Sequence, residues 1–203
     1  KKEYTKVDPL KIRLEKGVHE IVGDTDEYDI QRNQMKVTCN HITFVGKDKN
    51  QTTIRGGFKV ENQHHVKFEG LTITNQSGDG LELRGSETNV DVLKCAVKEC
   101  SHIGMNVRNG ATATATQCAF MENHLGVYCY GANTKARLND CTMYHNEEDG
   151  LQVERHGTVD LHGTKTDIYS NERIGILVAS HAKVNIHLPS QHNTSHGNVA
   201  EDR

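Results

Sequence analysis

Two successive stretches of similar pattern decide the fold: residues 95–117 read CAVKECSHIGMNVRNGATATATQ, and residues 118–140 read CAFMENHLGVYCYGANTKARLND. They belong to a longer series in which one glycine recurs at steps of 24, 22, 24, 25 and 22 residues, at Gly80, Gly104, Gly126, Gly150, Gly175 and Gly197. A small or aliphatic residue comes eight or nine positions before each glycine, at Leu71, Cys95, Cys118, Cys141, Thr166 and Leu188. A regular period of this length is typical of a solenoid.

Asparagine marks a third position of the repeat, three or four residues before the glycine, at Asn123, Asn146, Asn171 and Asn193. The first two copies are looser, because Asn75 comes five residues ahead and Cys100 takes the asparagine position. After each of the first five glycines a short segment alternates apolar and polar residues, at 81–84, 105–108, 127–130, 151–154 and 176–178. Alternation of period two, without any 3.6-residue periodicity, favours a β-helix over leucine-rich repeats. The sequence predicts an all-β, single-stranded parallel β-helix of about 22–25 residues per coil.

Stacked coils place equivalent side chains about 4.8 Å apart, so that repeated residues form ladders. We expect Cys95, Cys118 and Cys141 to form one inward ladder of free, buried thiols, because parallel side chains aim their sulfurs badly for a disulfide. The asparagines are expected to adopt the left-handed conformation and to bond their amides from coil to coil. The repeated glycines are expected to supply backbone angles that other residues resist.

Composition limits the classes of function. The 203 residues suffice for one domain, and 34% hydrophobic residues with no tryptophan suit a thin solenoid better than a thick core. A net charge of −3 gives no basis for nucleic-acid or anionic-membrane binding, so we expect neither partner. No apolar run approaches the roughly 18 residues of a membrane span. The pattern does not indicate a cellular compartment.

The chain divides into three parts within one domain. Residues 1–34 are predicted to form an N-terminal strand and cap region, in which the acidic, aperiodic residues 23–34 form a loop or part of the cap. Residues 35–198 are predicted to form the β-helix coils, and residues 199–203 a polar tail. A second strand in each repeat points alternate residues inward, at Val66 and Phe68, Val90 and Val92, Ala113 and Ala115, Ala136 and Leu138, Val159 and Leu161, and Val184 and Ile186.

The repeats resemble right-handed parallel β-helix proteins of the pectin-lyase-like superfamily, of the type shared by carbohydrate-binding proteins and sugar hydrolases. Residues 12–18 (IRLEKGV), 42–46 (ITFVG) and 53–56 (TIRG) look like the entry into such a domain, and the resemblance covers about residues 10–198. The resemblance implies that the coils of the β-helix wind in the right-handed sense. For function it leaves a wide choice, since such proteins include pectate lyases, polygalacturonases, epimerases, phage tailspikes and non-catalytic scaffolds.

The enzyme motifs of that superfamily are incomplete in this chain. Residues 78–80 (GDG) are similar to the Asp-Asp site of polygalacturonases but have glycine as the second residue, residues 155–157 (RHG) lack the first glycine of Gly-His-Gly, and residues 173–175 (RIG) lack the lysine of Arg-Ile-Lys. Asp79 and Asp149 share one repeat position three coils apart, roughly 14 Å, which is too far for an acid–base pair. We therefore predict no catalytic residues and no cofactor.

Two further clusters are candidates for weaker roles. Residues 147–149 (EED) form the densest acidic cluster, and Arg173 lies one coil from Glu148, so a cross-coil ion pair is expected there. His102, His124 and Glu148 fall in one column at a spacing that could hold a metal ion. Histidines at turns more often face water, and we predict no metal site.

The outward face of the strand after each glycine is the strongest candidate binding surface. One column contains Glu82, Asn106, Tyr128 and Gln152, and the next contains Arg84, Arg108, Tyr130 and Glu154. Two exposed tyrosines among arginine and amide side chains could stack on sugars or anchor a peptide. The sequence thus favours a non-catalytic binding or scaffold module that presents a flat sheet face to carbohydrate or protein. The alternative is a polysaccharide lyase, hydrolase or epimerase.

Overall fold

Short parallel strands joined by tight turns make up the described part of the chain. The computed structural model describes residues 4–23, 33–187 and 195–203. In chain order the strands of these residues are β1 (Leu10–Arg13), β2 (Gly17–Glu20), β3 (Gln34–Val37), β4 (Ile42–Val45), β5 (Thr52–Arg55), β6 (Gly57–Glu61), β7 (Val66–Glu69), β8 (Thr72–Thr74), β9 (Leu81–Arg84), β10 (Asn89–Leu93), β11 (Ala96–Lys98), β12 (Ile103–Arg108), β13 (Thr112–Thr116), β14 (Ala119–Met121), β15 (Leu125–Tyr130), β16 (Lys135–Asn139), β17 (Thr142–Tyr144), β18 (Leu151–Glu154), β19 (Thr158–His162), β20 (Asp167–Tyr169), β21 (Ile176–Val178), β22 (Lys183–His187) and β23 (Ser195–His196).

Every third strand joins the same sheet, which makes the chain a β-solenoid with three faces, each formed by one sheet of parallel strands. Within the described residues the first sheet has the order β1-β4-β7-β10-β13-β16-β19-β22, the second β2-β5-β8-β11-β14-β17-β20-β23, and the third β21-β18-β15-β12-β9-β6-β3. The pairing is in register: Val90 of β10 aligns with Val66 of one neighbour and Ala113 of the other. The predicted all-β parallel solenoid is confirmed.

The core is a narrow column of inward side chains, as the alternation predicted. The second-strand positions from Val66 to Leu161 are buried, whereas Val184 is only partly buried and Ile186 is 41% exposed near the last coil. Aromatic residues widen the core at one end, where the ring of Phe68 stacks on Phe44 at 5.3 Å and lies 4.7 Å from Phe58. Each coil therefore buries a few side chains against the coils on either side, and no coil has a core of its own.

The predicted cysteine ladder is confirmed. Cys95, Cys118 and Cys141 are at most 2% exposed, and all six cysteines of the chain are free. Backbone bonds from Ala119 N to Cys95 O and from Thr142 N to Cys118 O, both 3.0 Å, hold these residues in one column. Burial raises the pKa of Cys95 to about 12, so its thiol stays protonated and unreactive.

The predicted asparagine ladder forms, but the backbone conformation of its residues and its last member differ from the prediction. Asn146 Nδ2 donates to Asn171 Oδ1 at 2.8 Å, and Asn171 Nδ2 donates to Asn198 Oδ1 at 2.8 Å, so Asn198 occupies the place predicted for Asn193, which lies outside the described residues. The left-handed residues are those just before the ladder, at Glu99, Glu122, His145 and Ser170. The left-handed expectation for the asparagines was wrong, because their amides act through bonding and not through turn conformation.

The repeated glycines are required for space and not for unusual backbone angles, which corrects the sequence-based expectation. Gly80, Gly104, Gly126, Gly150 and Gly175 have no positive φ. A Cβ on Gly104 would instead lie 2.7 Å from the carbonyl oxygen of Gly126 on the next coil. Gly197 does not belong to this column: Asp202 takes the glycine position in the last coil, where Ile176 N donates to its carbonyl oxygen at 3.1 Å.

The coils extend beyond the predicted range 35–198 at both ends. Strands β1 and β2 already pair with β4 and β5, so residues 10–20 form part of the solenoid. Residues 199–203 continue it, since Glu201 forms a parallel bridge with Ile174. Most of the loop or cap predicted for residues 23–34 lies outside the described residues. Among the described residues there is no helix long and apolar enough to cross a bilayer.

Candidate functional site

The two outward columns predicted on the third sheet exist in the predicted register. Glu82, Asn106, Tyr128 and Gln152 align from β9 to β18, and so do Arg84, Arg108, Tyr130 and Glu154. We call these eight residues the third-sheet face. Because the strands run parallel with one residue per coil in each column, eight residues that are far apart in sequence share one surface.

One half of the third-sheet face is recessed, which differs from the predicted flat, exposed surface. Glu82 is 5% exposed and Asn106 is 4% exposed, although both point away from the core. The turn before β9 brings Asp79, itself 8% exposed, against this face. Its Oδ2 accepts a hydrogen bond from Asn106 Nδ2 at 2.8 Å, and its Oδ1 accepts one from Ile103 N at 3.1 Å. The sequence reasoning therefore missed Asp79 as a member of the site.

Opposite charges are paired in this recess. The carboxylate of Glu82 contacts Arg84 at 3.5 Å and accepts a hydrogen bond from Arg108 Nη2 on the next coil. Burial raises the pKa of Asp79, while the bonds from Asn106 and Ile103 act in the opposite direction. Asp79 and Glu82 both line a cleft of about 320 Å³, which is also lined by His102 and His124.

Three polar atoms of the recess lack partners within the described residues. They are Oδ1 of Asn106 and the Nε atoms of Arg84 and Arg108, all buried. A buried polar atom without a hydrogen bond costs free energy, on the order of 1–3 kcal/mol. The Asn106 oxygen needs a donor such as a hydroxyl group, and the two arginine Nε atoms need an acceptor such as a hydroxyl or carboxylate oxygen.

The other half of the third-sheet face is an aromatic ridge, which we define as Tyr128 and Tyr130. Their ring centroids lie 5.7 Å apart at an interplanar angle of 41°, and the rings are half-buried, not fully exposed as predicted. Tyr128 donates its hydroxyl hydrogen to Glu154 Oε2 at 3.0 Å, and Gln152 donates to Glu154 Oε1 at 3.0 Å. The guanidinium of Arg155 lies 5.4 Å from the centre of the Tyr130 ring. These contacts fix both rings in orientation.

The predicted acidic cluster pairs with Arg173 and with His124, one of the weak metal candidates. The expected cross-coil pair is present, since Arg173 lies 3.3 Å from Glu148. His124 Nδ1 lies 3.1 Å from Glu147, and its Nε2 lies 3.9 Å from Glu148. Among the described residues, the groups of three whose ligand atoms approach within 4.8 Å lie elsewhere and do not include His102, His124 or Glu148.

Asp79 and Asp149 share one structural task but differ in their surroundings. Each accepts a hydrogen bond from the backbone of the next coil, from Ile103 N at 3.1 Å and from Ile174 N at 3.0 Å. Asp79 is also bonded to Asn106, whereas the second oxygen of Asp149 has no partner in the described part of the chain. The repeat position explains their presence, and Asn106 distinguishes the Asp79 site.

Comparison of the sequence with known protein families agrees with this architecture. The family model described as right handed beta helix region matches residues 30–198. The chain belongs to the right-handed β-helix family. Family membership confirms the handedness that the sequence resemblance implied, and the pectin-lyase-like superfamily is consistent with it. Searches of curated proteins and of solved structures found no match to this right-handed β-helix protein.

Proposed function

We propose that this right-handed β-helix protein is a non-catalytic carbohydrate-binding module whose binding surface is the third-sheet face together with Asp79. The observation that carries the proposal is the junction of the aromatic ridge with the polar recess on adjacent coils. Tyr128 follows Asn106 in one column, and Tyr130 follows Arg108 in the other. A ligand lying along the solenoid axis would contact rings and charged or amide groups in succession.

The chemistry of this surface suits a sugar. Pyranose rings present apolar C–H faces that pack on aromatic rings, and hydroxyl groups that need donors and acceptors in fixed directions. Tyr128 and Tyr130 supply the rings, and the carboxylate, amide and guanidinium groups of the recess supply the donors and acceptors. Because these side chains already bond one another, less conformational entropy is lost when a ligand binds.

A tyrosine pair on another face provides a matched control. Tyr144 and Tyr169 lie on β17 and β20 of the second sheet, also half-buried, with ring centroids 5.0 Å apart and an interplanar angle of 2°. They also lie on neighbouring coils, so they would bind any ligand that needs only a pair of neighbouring aromatic rings. They lie outside the third-sheet face.

The experiment is a glycan array probed with the wild-type chain, followed by affinity measurements on the strongest glycan. We expect the double substitution Tyr128→Ala and Tyr130→Ala to weaken binding at least tenfold, about 1.4 kcal/mol, because buried tyrosines dominate such contacts. Tyr144→Ala with Tyr169→Ala should leave the affinity unchanged. Equal losses in both double variants, or a loss only in the second-sheet pair, would refute the location of the site.

A catalytic role is the second candidate, and the Asp79 and Glu82 pair favours it. Burial raises the pKa of Asp79, which suits a general acid, and the arginine-paired Glu82 supplies a second carboxyl group in the same cleft. If the module is a lyase or hydrolase, reducing or unsaturated ends should be released from the glycan that binds, and both Asp79→Asn and Glu82→Gln should abolish the release. Binding without any release would leave the non-catalytic proposal as the better one.

A further inference from the structure

A histidine cluster at the N-terminal end of the first sheet has no role in the carbohydrate proposal. His41 and His65 occupy successive coils immediately before β4 and β7, and His64 precedes His65 in the chain. Each of the three offers a ring nitrogen, and these nitrogens all lie within 4.8 Å of one another. We call this group the His41 cluster.

The backbone holds the His41 cluster in a defined geometry. His41 and His65 both have φ of 55°, so the same left-handed turn recurs on adjacent coils and aims both rings in one direction. Their rings stack at 4.8 Å and 24°, and the His64 ring meets each of them edge-on at 5.0 Å. The backbone of His64 is anchored, since its N donates to Asn40 Oδ1 at 2.9 Å and its O accepts from His41 N at 3.1 Å.

Two ring nitrogens of the cluster have no hydrogen-bond partner within the described residues. The Nδ1 atoms of His41 and His64 are buried and unpaired. A buried ring nitrogen without a hydrogen bond costs free energy, and coordination to a cation would use its lone pair.

We propose that His41, His64 and His65 form a site for a divalent transition-metal ion of the zinc class. Zinc binds imidazole nitrogen at about 2.0–2.1 Å, so tetrahedral ligand atoms lie roughly 3.4 Å apart. The ring nitrogens all lie within 4.8 Å of one another, and rotation of the side chains out of their stacked arrangement would bring them to this spacing. Imidazole ligands select zinc, nickel or copper over calcium and magnesium, which prefer oxygen.

The surroundings leave room for a fourth ligand. His41 and His65 line a cleft of about 410 Å³, which is also lined by the cationic Lys6, Lys11, Arg13 and Lys67 and by the acidic Glu69 and Asp91. Lys67 is paired with Glu69 at 2.8 Å. The remaining cationic side chains reduce the affinity for a cation, but they favour an anionic ligand or hydroxide at the open position of the bound metal.

A second cluster on the first sheet serves as the control. Asp160, His162 and His187 also bring their ligand atoms within 4.8 Å. Here the Asp160 Oδ1 atom already interacts with Asn185 Nδ2 at 2.8 Å and with His187 Nε2 at 3.2 Å. Two of its three potential ligands, Asp160 and His187, thus already bond inside the protein, which distinguishes it from the His41 cluster.

The test uses the full chain without a polyhistidine tag. Zinc binding is measured by equilibrium dialysis and calorimetry for the wild type, His64→Gln, His65→Asn and the control His162→Gln, and cobalt absorption reports imidazole coordination. We expect the wild type to bind zinc but not calcium at this site, and the two cluster variants to lose one equivalent or at least tenfold in affinity. His65→Asn is the decisive variant, because asparagine tolerates the left-handed turn and the side chain is exposed.

Each outcome decides the proposal. Loss of one zinc equivalent in His65→Asn but not in His162→Gln supports the site, and equal losses in the two variants overturn it. Equal stoichiometry and affinity in the wild type and in His65→Asn overturn it, as does a wild-type chain that binds no zinc. If His64→Gln does not fold, as judged by circular dichroism, His65→Asn alone gives the answer.

Discussion

Replacing Asn146 by alanine tests how much the asparagine ladder contributes to stability. Asn146 is 0% exposed and sits in the middle of the ladder. Its Nδ2 donates to Phe120 O at 3.2 Å and to Asn171 Oδ1 at 2.8 Å, and its Oδ1 accepts from the N and Nδ2 atoms of Asn123 at 3.2 and 3.3 Å. The substitution removes all four bonds, which link three successive coils.

The cost follows from the groups that remain behind. Asn123 Nδ2 still donates to Val97 O at 3.1 Å, and Asn171 Oδ1 still accepts from the residue 146 backbone N at 3.2 Å. The buried N–H of Asn123 loses the bond to Asn146, at a cost of about 1–3 kcal/mol, and each further lost bond adds about 1 kcal/mol. We expect the free energy of unfolding to fall by roughly 4–6 kcal/mol.

The assay is equilibrium urea unfolding followed by far-ultraviolet circular dichroism, with the midpoint and the slope fitted separately. Asn185→Ala is the control, because Asn185 is exposed and its side chain makes one hydrogen bond within the described residues, to Asp160, so its cost should stay below about 1 kcal/mol. A loss below about 1 kcal/mol for Asn146→Ala, with unchanged slope, would refute the idea that the ladder holds the coils together. A changed slope would indicate that the coils no longer unfold as one unit.

Two further predictions concern titration and thiol accessibility. Burial raises the folded-state pKa of Asp79 above 3.8, so its contribution to stability is present below that pH and is lost as the pH rises through the raised value. Asp79→Asn should therefore be at least as stable as the wild type at pH 7 and should lose this advantage in acid. A variant that is less stable than the wild type at neutral pH would contradict the raised pKa. Cys39 is the only partly exposed cysteine, and burial raises the pKa of Cys100 and Cys129 to about 12. A thiol reagent should therefore label one thiol quickly in the native protein and six after unfolding. Fast labelling of two or more thiols in the native protein would contradict the closed core.

The fold could be predicted because the repeat period encodes neighbours in space. Once Cys95, Cys118 and Cys141 are aligned, parallel stacking determines which residues share a column, and the columns of the third-sheet face follow without further information. The prediction for the last coil was wrong because this coil is longer. Ile168 aligns with Ser195, and this step of 27 residues makes Asn198 the ladder residue. An insertion there shifts the apparent asparagine and glycine positions.

The candidate site was only partly predictable, because periodicity gives columns but not burial or diagonal contacts. Asp79 and Asn106 lie on different coils and in different columns, so no repeat alignment pairs them, although they bond at 2.8 Å. The His41 cluster was missed for a related reason, since His64 and His65 are adjacent in sequence and only the turn brings both rings toward His41. Side-chain direction at turns depends on local φ and ψ, which the period does not specify.

The most direct test of the account is nuclear magnetic resonance mapping of the wild-type chain titrated with the glycan that the array identifies. The account predicts that the largest amide and tyrosine-ring shifts fall on β9, β12, β15 and β18, with Asn106 and Tyr128 among the most affected. Shifts confined to Tyr144, Tyr169 and the second sheet would contradict it.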